Sequence, residues 1–428
     1  MTPFQIPRKV MAVIGSGPTG LHAAVRFAQL GCQVIVLEQA SHIAAHVAQW
    51  AHVQMFSPWE YNYDPKVVEL LESAKMYTEE EASPSTQQGI SPTGAEYVSQ
   101  YLSKMARWLE QQECAEVRLQ TTVKSVVREG LIKKDDLAGK DRQHRRFLLR
   151  VLHPESGESF VEADYVIDAS GSYGNPCYAG PGGSPALGET SLPKGRVHYH
   201  IPAVHGADEA QYKNAHVLVV GAGFSSITSI KKILELREKH PETRVTWLTR
   251  APSNPFTVLE ADVLPQRKEL SQFGNTITTH PTPGVTHISQ LQIQSMKEVN
   301  TPEGTKVEVH MISLQDSSPK TLLVDRVVSN VGYKPDCSIF SELHVHQCWA
   351  TDGPIKLAAS LMAAGGGGGD CLSQVAPGPE LLKTEEPGFY ILGMKSYGRS
   401  SLFIIKIGLE QIDQIAGVLE PELTRCIV

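Results

Sequence analysis

Gly15-x-Gly17-x-x-Gly20, and Glu38 eighteen residues beyond Gly20, are the residues of this 428-residue chain whose types and spacing most directly imply chemistry. Gly15 permits a sharp turn, Gly17 lets backbone approach a pyrophosphate, and Gly20, with Ala24 four residues later, lets a helix press against a strand. The helix start after the turn supplies unpaired N–H groups and a positive dipole end to phosphates. Glu38 closes the next strand, where a carboxylate can accept hydrogen bonds from both hydroxyls of an adenine ribose. Ser16, Pro18, Thr19 and Gln39 belong to the same expected contact set.

A related set recurs at Gly221-Ala-Gly223-Phe-Ser225-Ser226, with Ser226 where a third glycine would stand. The strand after it, Val245 to Thr249, is followed by Arg250 rather than an acid. A carboxylate would repel a 2'-phosphate, whereas a guanidinium binds one through charge-assisted hydrogen bonds. The first site therefore suits FAD and the second NADPH, with an arginine that merely ends a surface strand as the alternative for Arg250.

The elements around both sets fit this assignment. Val10 to Ile14 is an apolar run expected as a buried parallel strand, Leu21 to Leu30 as the helix behind the turn, and Gly31 as its stop. The expected class is α/β with two Rossmann-like dinucleotide-binding domains. A discontinuous FAD domain is expected at 1–195 and 327–428, with a helical excursion near 60–112, and an inserted NADPH domain at 196–326. The length itself calls for more than one core.

A net charge of -7 with no long basic run argues against nucleic acid or an anionic membrane as partner. No apolar stretch reaches membrane-spanning length, and a first strand starting near residue 9 leaves no room for a signal peptide. Seven scattered cysteines without a Cys-x-x-Cys pair fit a reduced, cytoplasmic protein rather than a disulfide framework or zinc ribbon.

Several stretches carry secondary readings. His42 and His46 at i and i+4 could share a metal on a helix, but no third ligand stands nearby, and no metal is expected. Phe56, Trp59 and Tyr61 form an aromatic cluster that could wall the cofactor's reactive end, with Asn62 beside it. Ser91-Pro-Thr-Gly-Ala-Glu96 starts an amphipathic helix, and Val117 to Arg128 and Arg146 to Leu152 read as strands around a solvated charged tip at 133–142. Cys177 is open between a thiol near a redox centre and an inert loop residue. The stretch 263–286 reads as irregular, Gly365 to Gly369 as a surface loop, Gly388 to Gly393 as a last buried strand, and Phe403 to Leu419 as the terminal helix.

Two fingerprints, the second entered after Asp168-Ala-Ser-Gly-Ser-Tyr-Gly174 and closed by Gly332-Tyr-Lys-Pro-Asp336, resemble the two-dinucleotide-binding-domain flavoproteins over nearly the whole chain. Within that group the sequence is most similar to flavin-containing monooxygenases and their N-hydroxylating and Baeyer-Villiger relatives. The histidine of the Phe-x-Gly-x-x-x-His monooxygenase fingerprint falls on Tyr199, and the glycines that precede Trp50 in the usual pattern are missing. The resemblance adds Trp50, Val123, Gly171, Gly393 and Ser400 to the FAD contacts and Asn62 and Trp59 as catalytic candidates. It implies that NADPH reduces FAD and that a flavin C4a-hydroperoxide, formed with O2, oxygenates a small organic molecule. A reductase without oxygen insertion and a flavin-binding redox sensor are the alternatives.

Overall fold

The computed structural model describes residues 8–138, 140–259, 262–364 and 377–424; the glycine run 365–369 and Cys371 and Cys426 lie outside them. The chain divides into Met1–Asn175 with Lys334–Val428, and Pro176–Tyr333.

The first unit opens with β1 (Val10–Ile14), α1 (Pro18–Gln29) and β2 (Gln33–Leu37). Proline at the first helical position of α1 loses no bond, because that N–H has no helical partner anyway. The helical excursion contains α2 (Ala45–Gln49), α3 (Pro65–Ser73), α4 (Gly94–Tyr97) and α5 (Ser103–Glu110), the last two joined through a π-helical turn at Val98–Leu102. Asp64 caps α3, and Thr93 and Glu96 form the reciprocal capping box that starts α4. Next come β3 (Ala115–Arg118), an antiparallel meander of β4 (Thr122–Arg128), β5 (Phe147–His153) and β6 (Gly157–Ala163), and then β7 (Tyr165–Asp168).

The second unit contains β8 (Val197–His198), α6 (Glu209–Tyr212), β9 (His216–Val220), α7 (Phe224–Leu236), β10 (Arg244–Thr249) and α8 (Pro265–Thr279). It continues with β11 (Val285–Ser289), a second meander of β12 (Leu291–Thr301), β13 (Gly304–Ser313) and β14 (Pro319–Val324), and β15 (Arg326–Ser329). The chain then supplies the first unit with α9 (Ile355–Ala363), α10 (Pro379–Leu382), β16 (Phe389–Ile391) and α11 (Ile405–Thr424).

The sheet orders are β16-β7-β1-β2-β3 and, read in the same sense, β8-β15-β9-β10-β11. Every pairing in both sheets is parallel. In the first unit, one face of the sheet packs on α1, α5 and α11 through Leu21, Phe27, Met105 and Ile412, while the other packs on the meander through Ile14, Leu37, Phe147 and Leu149. Both faces are covered, which is why β1 and β2 are near-continuous apolar runs, while the edge strand β3 alternates.

Several sequence expectations are corrected. Residues 176–195 and 327–333 pack with the second unit, because β15 pairs with β9 and Cys177 N–H donates to Gly332 O. The run 117–128 is two strands in different sheets, broken at Gln120, whose φ of 51° turns the chain. The charged tip at 133–142 is not simply solvated: Arg142 is fully buried and paired with Glu386. The stretch 263–286 holds α8, whose residues Arg267, Ser271, Gly274 and Ile277 recur on one buried face. The terminal helix starts at Ile405, two residues later than expected, and runs on to Thr424.

Candidate functional site

The first glycine turn sits at the carboxyl ends of β1 and β2. Gly15 has φ +95°, its N–H donates to Leu37 O at 2.9 Å, and a Cβ there would stand 2.9 Å from Ala169 O, so only glycine fits. A Cβ on Gly20 would run into Gly15 O. A Cβ on Gly17 would meet nothing within 4 Å, and no side chain caps the start of α1. Room and undirected helix N–H groups together suit an anion.

Glu38 is 7% exposed and held in place: Oε2 accepts Ser16 N–H at 2.9 Å and Ser16 Oγ–H at 2.6 Å, and Oε1 accepts Ala40 N–H at 2.9 Å. With three of about four acceptor positions engaged, the carboxylate is oriented before any ribose arrives. Pro18 is half-buried and Thr19 buried in the first turn of α1, while Gln39 is exposed. On the opposite side of the turn, a Cβ on Gly393 would lie 2.6 Å from Thr19 Oγ1, and Gly393 N–H donates to buried Gln411 at 2.8 Å. Gly171 has open space around it, and Ser400 Oγ accepts Leu402 N–H at 3.4 Å.

The two catalytic candidates belong to the core. Trp59 is 1% exposed and packs on Tyr97 with ring centroids 5.8 Å apart, so it offers a ligand no face. Asn62 is equally buried, and both its amide hydrogens are engaged, donating to Ser57 O at 2.9 Å and Pro58 O at 2.8 Å. That leaves the amide no proton for a flavin. Trp50 is half-buried against Gly94, where a Cβ would stand 2.6 Å from its ring, and Val123 lies in the apolar layer under Ile14 and Leu37. His42 and His46 do not share a helix face, because Ala44 at φ 53° caps α2 between them. His46 instead faces Tyr173, with ring centroids 5.7 Å apart, and burial lowers its pKa against the opposing charge of Glu38.

Two groups that the sequence did not announce are buried in this unit. Lys395 Nζ donates to Asp168 Oδ2 at 2.6 Å and to Ser170 Oγ at 3.0 Å. His22, on α1, stands 4.0 Å from Asp64 and 3.8 Å from Asp413, which Arg26 also binds at 2.8 Å. Burial raises the Asp413 pKa, but the neighbouring His22 and the charge of Arg26 outweigh it and hold the group below the usual carboxylate range. Neither group has a sequence signature, since each joins an early part of the chain to a residue more than two hundred positions later.

The second turn repeats the first. Gly221 has φ +122°, donates its N–H to Leu248 O at 3.1 Å, and lies against Asn330 O as Gly15 lies against Ala169 O. Gly223 caps α7 without a side-chain bond, and a Cβ there would meet nothing within 4 Å. Ser226 is buried, with its Oγ donating to Asn330 O at 3.3 Å, and Ser225 is half-buried beside it. Trp247 Nε1–H donates to Gly221 O at 2.7 Å and fixes the turn from β10. Thr249 Oγ–H donates to Ala251 O at 2.6 Å, so its 2.8 Å contact with His287 Nε2 makes that ring nitrogen the donor. Arg250, between those bonded residues, is exposed.

Residues 13–74 match the family described as NAD(P)-binding Rossmann-like domain. The sequence matches no curated protein. Solved structures match along the whole chain. A bacillithiol disulfide reductase from Bacillus cereus has TM-score 0.64 at 18% identity and covers 97% of this chain and 100% of its own. The FAD-bound cadaverine monooxygenase of desferrioxamine biosynthesis from Erwinia amylovora has TM-score 0.61 at 13% identity, covering 97% and 94%. An ornithine N-hydroxylase from Kutzneria sp. 744, with reduced FAD, NADP+ and L-ornithine, has TM-score 0.59 at 15% identity, covering 99% and 100%. The fold is that of the two-dinucleotide-domain flavoproteins. The sequence expectation of two Rossmann-like units, one inserted in the other, is thereby met. Among the described residues no helix is long and apolar enough to cross a membrane.

Proposed function

We propose that the chain is an FAD-dependent, NADPH-consuming oxidoreductase, and that it acts as a monooxygenase on a small organic molecule. The observation that carries this reading is a doubled one. The same turn stands at the carboxyl end of the same strand order in both units, one followed by a fixed acid and the other by an exposed arginine. The residues fit both cofactors: space at Gly17 and Gly223 for phosphates, Glu38 for a ribose, and Arg250 for a 2'-phosphate.

A bound flavin would supply the redox chemistry, accepting hydride from reduced nicotinamide and passing electrons to an acceptor or to oxygen. The chain's own part is to hold and orient. Glu38, positioned by Ser16 and Ala40, fixes the adenosine end in the first unit, while Trp247 and Thr249 fix the backbone that presents Arg250 in the second. Oxygen insertion is favoured over a dithiol relay because the sequence has no Cys-x-x-Cys, and Cys32, Cys177 and Cys348 are buried. The structural neighbours include an N-hydroxylase and a monooxygenase, and also disulfide and thioredoxin reductases, so the cysteine pattern rather than the neighbours carries this preference. The scattered cysteines suit the reducing cytoplasm.

A reductase that passes electrons on without inserting oxygen is the second reading, favoured by the commitment of Trp59 and Asn62 to the core. NADPH consumption is measured against panels of amines, thiols and ketones under isotopically labelled dioxygen. Label in a product supports the monooxygenase; peroxide equal to NADPH consumed, with no labelled product, supports the reductase. Protein that carries no flavin, or whose flavin NADPH does not bleach, overturns both.

A further inference from the structure

Lys395 and Asp168 form an ion pair whose side chains are 1% and 0% exposed. Its bonds close a ring: Nζ donates to Asp168 Oδ2 at 2.6 Å and to Ser170 Oγ at 3.0 Å, and Ser170 Oγ–H donates to Asp168 Oδ1 at 2.7 Å. The Phe340 ring lies 5.4 Å from the ammonium. Burying two charges this completely is costly, and an apolar pair of similar volume often serves stability as well or better. A stability role alone therefore does not account for the pair.

Its position supplies a second reason. Asp168 ends β7, in register with Ile14 of β1 and Ile391 of β16. Ser170 follows it, and its Cα would lie 3.0 Å from a Cβ on Gly15. Lys395 lies in the turn that begins at Gly393, which approaches Thr19 of α1. The pair thus lies between the two backbone turns of the first unit at the carboxyl end of its central strands, where ligands of open α/β sheets bind.

We propose that Lys395, held by Asp168 and Ser170, sets the reduction potential of a flavin bound to this unit. The inference rests on the FAD reading of the first turn. Hydride transfer moves two electrons and one proton onto a neutral isoalloxazine, which leaves the ring with one negative charge and the nicotinamide with one positive charge. A buried ammonium favours the reduced ring, and a buried carboxylate opposes it, through a medium that screens poorly. With 1% of its side chain exposed, Lys395 does not touch the ring; it is a positioning and electrostatic residue, not a catalytic one.

Midpoint potentials of the purified holoenzyme, read from flavin absorbance against a reference dye, test the proposal with flavin content and melting temperature as controls. Lys395→Met should shift the reduced-to-oxidised ratio at a set potential at least tenfold toward oxidised, which is about 30 mV for a two-electron couple. Asp168→Asn, close to isosteric, should shift it the opposite way, and Lys395→Arg should stay near wild type. A merely structural pair would move both neutralised variants in the same direction or not at all, and either result overturns the proposal. If Lys395→Met does not retain flavin, the sign of the Asp168→Asn shift decides. Wild-type protein without a flavin that NADPH bleaches defeats the functional reading itself, whereas a bleachable wild type with no opposed shifts defeats only this inference.

Discussion

The two glycine turns share a backbone and differ in what surrounds it. Gly15 N–H reaches Leu37 O and Gly221 N–H reaches Leu248 O; Ala169 N–H reaches Ile14 O and Asn330 N–H reaches Val220 O. Strand order, turn and uncapped helix start are therefore one design used twice. In the first unit the polar groups at the turn are buried and mutually bonded, with Ser16 on Glu38 and Lys395 on Asp168. In the second, Arg250 at the equivalent strand end is exposed. The contrast suits a cofactor that stays in the first unit and one that comes and goes in the second.

The same difference runs through the meanders. In the first unit Arg128 of β4 and Arg142 converge on Glu386, and all three side chains are at most 1% exposed. In the second, Lys297 and His310 meet Glu308 at the surface of the hairpin. Glu386→Gln should cost about 3–5 kcal/mol, the range for breaking a buried pair, because it leaves two guanidinium groups short of a counter-charge. Burial raises the Glu386 pKa, but the bonds from Arg142 and Arg128 outweigh it and the group ends below its ordinary value. A depressed carboxylate stabilises above its unfolded pKa, about 4.3, and loses that contribution as pH falls through the lower folded value. Melting curves should therefore show a constant gap between wild type and variant above about pH 5, narrowing below about pH 4. A gap that does not depend on pH contradicts the ion-pair account.

Gly20→Ser asks whether the turns are interchangeable. It installs in the first turn the residue type that the second carries at Ser226, yet its Cβ would overlap Gly15 O. The expected loss is about 3 kcal/mol, the upper end for overpacking, and flavin occupancy should fall with it. Full occupancy and unchanged melting would show that the spacing between turn and helix yields freely.

How much of this could be read from the sequence depends on how local the cause is. The glycine turns, the helix start after Ser91 and the apolar strands follow from neighbouring residues and were legible. α8 was not, because the prolines of 263–286 read as breakers, although Pro265 is harmless at a helix start. The residues around Trp59 and Asn62 looked like a site because aromatic and amide groups cluster there. Their burial is set by Tyr97 on a helix more than thirty residues away. Lys395 and Asp168 are separated by more than two hundred residues and meet only through the β7–β16 pairing.

Arg250→Ala probes the exposed side of the comparison. Loss of a charge-assisted bond to a 2'-phosphate at an open site should weaken NADPH by about 1–2 kcal/mol and leave NADH unchanged. The ratio of the two KM values reads this directly, and an unchanged ratio removes Arg250 from the site. Thr249, just before the arginine, is bonded to Ala251 O and to His287, so the variant should not disturb the strand end.

Ser226→Gly is the reciprocal of the first-turn swap and should have the smallest effect. The second turn already accommodates a Cβ: α7 opens with Ser226 N–H donating to Gly223 O at 3.0 Å, three residues back, whereas α1 opens with Leu21 N–H donating to Gly17 O at 2.9 Å, four residues back. Removing the side chain forfeits the Oγ bond to Asn330 O, long at 3.3 Å, and adds the backbone entropy of a helical glycine. Together these cost about 1 kcal/mol, seen as a small drop in the melting temperature of the second unit with the NADPH KM unchanged. A large drop, or a change in the KM ratio, would mean that Ser226 does more than fill the third position. The second turn would then be a distinct binding device rather than a looser copy of the first.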